Sequence, residues 1–186
     1  MQSSEQGLAA DAAAVIQFWR DAGPRKWFAK DTAFDAEFSA RFMALHLAAA
    51  RRELDAWADT SYGTLALLIL LDQFPRNTFR GTAHMYATDP LARMFARRAI
   101  ARGMDAQVEP ALLPFFYLPL EHSEDPQDQE QSVLLAQRLD PRTRDFAVLH
   151  RDIIARFGRF PHRNPHLGRQ TTAEEQAFLD QGGFAG

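Results

Sequence analysis

Three polar packets interrupt an apolar chain, and each holds residue types able to do chemistry. The first closes an apolar run and reads Leu70-Leu71-Asp72-Gln73-Phe74-Pro75-Arg76-Asn77-Thr78-Phe79-Arg80-Gly81. The second is Leu120-Glu121-His122-Ser123-Glu124-Asp125. The third nearly repeats the first: Arg159-Phe160-Pro161-His162-Arg163-Asn164-Pro165-His166-Leu167-Gly168-Arg169. Both copies run aromatic, proline, arginine, asparagine, then glycine after a short gap. Packets so similar and so far apart in sequence are expected to meet in space.

The same residues support three chemistries. Arg76, Arg80, Arg159, Arg163 and Arg169 outnumber the acids that Asp72 and Glu124 offer, and surplus guanidinium forks capture a carboxylate or phosphate bidentately. With Gln73, Asn77, Ser123, Asp125, His150, His162 and Asn164 they form a candidate site for a small anion or an acidic peptide group. Alternatively His122 acts as acid or base, oriented by Glu124 or Asp72, because histidine titrates near neutral pH. Ser123 lacks any nucleophile elbow around it, which argues against serine hydrolysis. The third reading is purely structural: Asp72, Glu124 and Asp125 pair with Arg76, Arg80 and Arg163, and the turns tie off helix ends.

No metal or cofactor is called for. His162 and His166 have the spacing of two ligands on a helix, but Pro161 and Pro165 forbid a helix there. With no cysteine in the chain, thiolate metal sites, disulfides and cysteine nucleophiles are excluded. His46 and His84 show no partner in the sequence and read as helix-surface or loop residues.

Composition sets the frame. The chain of 186 residues is 46% hydrophobic and 24% charged, the balance of a globular protein with a real core. A net charge of -3 argues against a nucleic-acid binder, although residues 151 to 169 are locally basic. The 19 Arg against 2 Lys give planar forks wherever a site needs them. Residues 1–7 read as a polar, disordered tail with no signal-peptide pattern, and 8–186 as one domain. The longest apolar run, Leu65 to Leu71, is far short of the roughly 20 residues a membrane span requires. A cytoplasmic protein is expected, with no membrane partner; its oligomeric state is not legible.

The elements that must hold these packets are helices. Val15, Ile16, Phe18 and Trp19 share a stripe that Gly23-Pro24 stops, and Trp27-Phe28 follows as an apolar plug. Asp31 caps a helix carrying Phe34, Phe38, Phe42 and Leu45, running as far as Leu54 to Trp57. A cap at Asp59-Thr60-Ser61 opens an all-apolar helix, fit only for the centre of a bundle, and Pro75 is expected to end it. Asp89-Pro90, Glu109-Pro110, Asp125-Pro126 and Asp140-Pro141 each put an acid at the cap and proline at the first helical position. Gly103 and Gly158 close two of these helices. A capping box at Thr171 and Glu174 opens the last. With no alternating stretch, the fold is all-α: seven or eight helices in stacked antiparallel pairs, the architecture of tetratricopeptide-type stacks without that repeat's motif positions.

Taken together, the three packets, with Tyr117-Leu118-Pro119 leading into the second and Arg156-Phe157-Gly158 into the third, resemble the bacterial family of unknown function 924. The resemblance extends from Val15 to the capping box. It implies a tetratricopeptide-like helical fold and supplies no activity. The chain departs from the family pattern at Glu121, where an apolar residue is expected before His122. A protein-interaction scaffold therefore stands beside the small-ligand site and the enzyme as a reading of function.

Overall fold

The structure, a computed structural model, describes residues 8–186. The tail expected at 1–7 lies outside the described residues. Every regular element among them is helical, with no strand. Contacts group the chain into two compact units, one of residues up to Arg80 with His84–Pro119, the other of Gly81–Ala83 with Leu120–Gly186.

In the first unit, α1 (Ala10–Trp27) buries Val15, Ile16, Phe18 and Trp19 and is broken at Gly23, whose φ is 68°. A last turn beyond the break carries Trp27, whose indole donates to the Trp19 carbonyl at 2.6 Å. The apolar plug is thus Trp27 alone; Phe28 is 66% exposed. Helix α2 (Thr32–Ala50) is capped by Asp31, which accepts from the Ala33 and Phe34 amides. Phe34, Phe38, Phe42 and His46, four residues apart, bury one face of it. It stops short of the expected Leu54, because Arg52 turns left-handed at φ 66° and a 3-10 turn, Asp55–Asp59, follows.

Helix α3 (Ser61–Leu68) starts at the Thr60 cap and is buried on every side, as its composition demands. At Gly63 a Cβ would lie 2.1 Å from the Trp57 carbonyl oxygen, so only glycine fits. Proline 75 does not end this rod. A π-helical turn, Ile69–Gln73, intervenes, and α4 (Phe74–Thr78) continues with Pro75 in its first turn. Proline removes one backbone donor, and the carbonyls around the wide turn are met by side chains instead. Leu70 O lies 2.9 Å from His46 Nδ1, Leu71 O accepts from Thr88 Oγ1, Asp72 O from Arg76 at 2.8 Å, and Gln73 O from Asn77 at 2.8 Å. Four side-chain partners let the helix pass a residue that otherwise breaks it.

Helix α5 (Asp89–Ala101) starts where the Asp-Pro signal predicts, but its cap position is Thr88. The Glu109-Pro110 signal opens only a 3-10 turn, and α6 (Pro114–Glu121) follows with Pro119 inside it. Glu109 instead accepts from Arg20 and Tyr62.

In the second unit, α7 (Pro126–Ala136) and α8 (Pro141–Phe157) pack on each other. Asp125 and Asp140 cap them through the Gln127 and Thr143 amides. Gly158 closes α8 at φ 68°. The last helix, α9 (Ala173–Asp180), has its capping box at Thr172 and Glu175, one residue beyond the pair expected.

Candidate functional site

The first packet closes on acids of its own unit. Arg76 makes a bidentate bond to Asp89 at 2.9 and 3.0 Å, and its Nη1 lies 3.1 Å from Asp72. Gln73 donates to the other Asp72 oxygen at 2.6 Å. Burial opposes the Arg76 charge, yet the Asp72 and Asp89 carboxylates outweigh it and hold its pKa above the ordinary arginine value. Arg80 makes its fork to Asp35 and also donates to Asn77 Oδ1 at 2.9 Å.

The second and third packets do meet, within the second unit. Glu124 accepts from Arg169 at 2.6 and 2.9 Å and from the Phe160 amide at 2.8 Å. Burial alone would raise the Glu124 pKa, but these donors bring it below the usual carboxylate value. Arg169 also reaches Asn164 Oδ1 at 3.0 Å and the Phe160 carbonyl at 3.2 Å. Asn164 passes the network on to Glu175 at 3.2 Å, and Arg159 grips Glu175 through two bonds of 2.6 and 2.8 Å. The Arg159 bonds first, then those from Thr172, hold the Glu175 pKa down to about 2 against the opposing effect of burial. Arg76, Arg80, Arg159 and Arg169 are thereby matched by carboxylates. The surplus of forks inferred from residue counts ends there, because Asp35, Asp89 and Glu175 were not counted as their partners.

Ser123 and Asp125 serve the chain locally. The Ser123 hydroxyl accepts from the Asp125 amide at 3.1 Å, and Asp125 caps α7. Gln129 ties the turn, donating to the Glu121 and Ser123 carbonyls at 2.7 and 2.6 Å.

The imidazoles of this unit form a group apart from that network. His150 is ringed by Phe184 (centroids 4.5 Å apart), Phe160 (5.4 Å) and His122 (6.5 Å). Its Nδ1 lies 2.8 Å from the Phe146 carbonyl and 3.3 Å from Glu121 Oε1. His162 packs on Phe160 and Phe184, and the Arg163 guanidinium lies 4.3 Å over the Phe160 ring. The His162 Nδ1 is buried with no hydrogen-bond partner. Its pKa falls to about 3, from burial first and then from the charges of Arg163 and His150, with Glu124 pulling the other way. Glu121 and Phe184 belong to this group although sequence reading left both out. The charge at Glu121 was the available signal; Phe184, after two glycines, gave none.

His46 departs from its expected surface position, and His84 keeps it. His46 is fully buried, stacked on Phe74 at 4.8 Å, and its Nε2 lies 3.5 Å from Nε2 of His84. His46 is thus not the surface residue expected, whereas His84 does lie exposed in a short turn, with His46 and Phe79 beside it.

The all-helical architecture of the described residues defines a class by fold alone. The chain belongs to the bacterial proteins of unknown function grouped as DUF924, matched over residues 15–183. It is similar to the solved structure of a protein of unknown function, ATU0120, from Agrobacterium tumefaciens. The two share 56% identity and a TM-score of 0.90, over 91% of this chain and 97% of that one. No curated protein matches the chain. Among the described residues no helix is long and apolar enough to cross a membrane.

Proposed function

We propose that the second unit binds a small anionic molecule at the imidazole group of His122, His150 and His162 with Arg163. The observation that carries this reading is His162: a buried Nδ1 with no hydrogen-bond partner, in a ring whose pKa is pushed to about 3. Burial is the first cause of that low pKa and favours no charge, but the Arg163 charge that adds to it would attract an anion at the same place. A neutral imidazole with its proton on Nδ1 donates to a carboxylate or phosphate oxygen and satisfies an atom that is otherwise costly to bury. The ion pairs of Arg159, Arg169, Glu124, Asn164 and Glu175 have the supporting role. They brace the segment from Arg159 to Arg169 that carries His162 and Arg163. Arg76, Arg80, Asp72, Gln73 and Asn77 belong to the internal bonding of the first unit.

Thermal unfolding at pH 7 with inorganic phosphate, acetate and citrate tests the reading. Binding to the folded state raises the Tm in proportion to the logarithm of ligand excess. At least one of these anions is expected to stabilise the wild type, and His162→Gln is expected to abolish the shift. An equal shift in His162→Gln, or none with any of the three, contradicts the proposal.

Acid–base chemistry at the same imidazoles is the second reading, favoured by the Glu121–His150 contact of 3.3 Å. With Nδ1–H shared between Glu121 and the Phe146 carbonyl, the basic lone pair of His150 falls on Nε2. Turnover of nitrophenyl esters or phosphates that is lost in His150→Gln would favour catalysis over binding.

A further inference from the structure

We infer that His46 and His84 form a binding site for a divalent transition metal of the zinc and nickel type. The site is independent of the anion reading and lies in the first unit. Its two nitrogens, His46 Nε2 and His84 Nε2, are 3.5 Å apart. Two imidazoles on one tetrahedral zinc, with bonds of about 2.05 Å, place their nitrogens about 3.4 Å apart.

The tautomer of His46 is set by the fold. Its Nδ1 is 2.9 Å from the Leu70 carbonyl, an oxygen with no lone hydrogen, so Nδ1 carries the proton and Nε2 presents its lone pair toward His84. A metal-bound histidine is usually held this way, by its second nitrogen on a backbone carbonyl. The π-helical turn at Ile69–Gln73 and Pro75 is what makes that carbonyl available.

The second ligand is held less tightly. His84 stacks on Phe79 with centroids 3.9 Å apart and is exposed. Without metal it donates Nε2–H to His46. To bind, it moves that proton to Nδ1 and turns both lone pairs onto one ion, with no net proton released. Among the described residues no third imidazole or carboxylate completes a set, so water fills the positions on the open side of His84. Neutral imidazoles favour nickel, copper and zinc over magnesium. A bound ion would clip α2 to the Ala83–Tyr86 turn.

The test uses the untagged chain at pH 7.5 with ZnCl2, NiCl2 or MgCl2 at about 1 mM, followed by thermal unfolding and by proton NMR of the histidine rings. Zinc is expected to raise the Tm by several degrees and magnesium to leave it unchanged. His84→Ala should lose the zinc shift, while His162→Gln should keep it. In the wild type, sub-stoichiometric Ni2+ should broaden the His46 and His84 ring signals before those of any other histidine. A zinc shift that persists in His84→Ala, no shift in the wild type, or nickel broadening that starts at His122, His150 or His162 would overturn the assignment.

Discussion

At the scale of single residues, the arginines of the packets divide by burial. Arg76 is 15% exposed and faces Asp72 and Asp89, themselves nearly buried. Removing it strands two carboxylates away from water, and Arg76→Ala should cost about 3–5 kcal/mol in urea unfolding. Arg80, 36% exposed against Asp35, forms a pair that water and salt screen, and Arg80→Ala should cost about 0–1 kcal/mol. Comparable losses at the two positions would contradict this division. Protons separate the third packet in the same way. His162 has a folded pKa near 3, below its unfolded 6.5, so its contribution is fully present above pH 6.5 and is lost as pH falls toward 3. Glu175, folded near 2 against 4.5, contributes above pH 4.5 and loses that contribution toward pH 2. Between pH 6.5 and 5 the stability of His162→Gln should therefore fall less steeply than that of the wild type. The slope that remains belongs in part to His46, whose pKa is also lowered. Below pH 4.5, Glu175→Gln should flatten a separate part of the curve.

At the scale of elements, the rod from Ser61 to Thr78 survives a proline because side chains replace what the backbone cannot supply. Thr88 is the most informative of these. It is buried, and its hydroxyl meets the Leu71 carbonyl. Thr88→Val keeps the shape and leaves that carbonyl unsatisfied, so a loss of about 1–3 kcal/mol is expected in chemical denaturation. A neutral substitution would mean that the wide turn does not depend on this bond. The rod also marks how far sequence reading reaches. The caps at Asp31, Asp125 and Asp140 were legible because a cap bonds an amide two or three residues away. The wide turn was not. It depends on His46 and Thr88, 24 and 17 residues from the carbonyls they meet. Local signals therefore predicted a stop at Pro75 that tertiary bonds override. The capping box slipped by one residue because Thr171-Thr172 and Glu174-Glu175 offer two equivalent registers, and Arg159 gripping Glu175 selects one.

At the scale of the whole molecule, the all-α class followed from four acid-proline starts and the absence of any alternating stretch. The family resemblance was legible in three packets, of which the second and third carry the candidate site. What the packets do was less so, because a salt bridge and a ligand site use the same residue types. Only the geometry tells them apart: Arg159 and Arg169 are committed to Glu175 and Glu124, while the imidazoles gather around Phe160 and Phe184. On the reading proposed above, bracing and binding fall to different residues of one motif. The imidazole nitrogens report this directly. In a nitrogen-15 NMR titration of the histidine rings, His162 should stay neutral below pH 4, and citrate or phosphate at pH 7 should shift its Nδ1 more than any nitrogen of His84. A His162 ring that titrates near 6.5, or a Nδ1 that stays unmoved at saturating anion, would contradict the account.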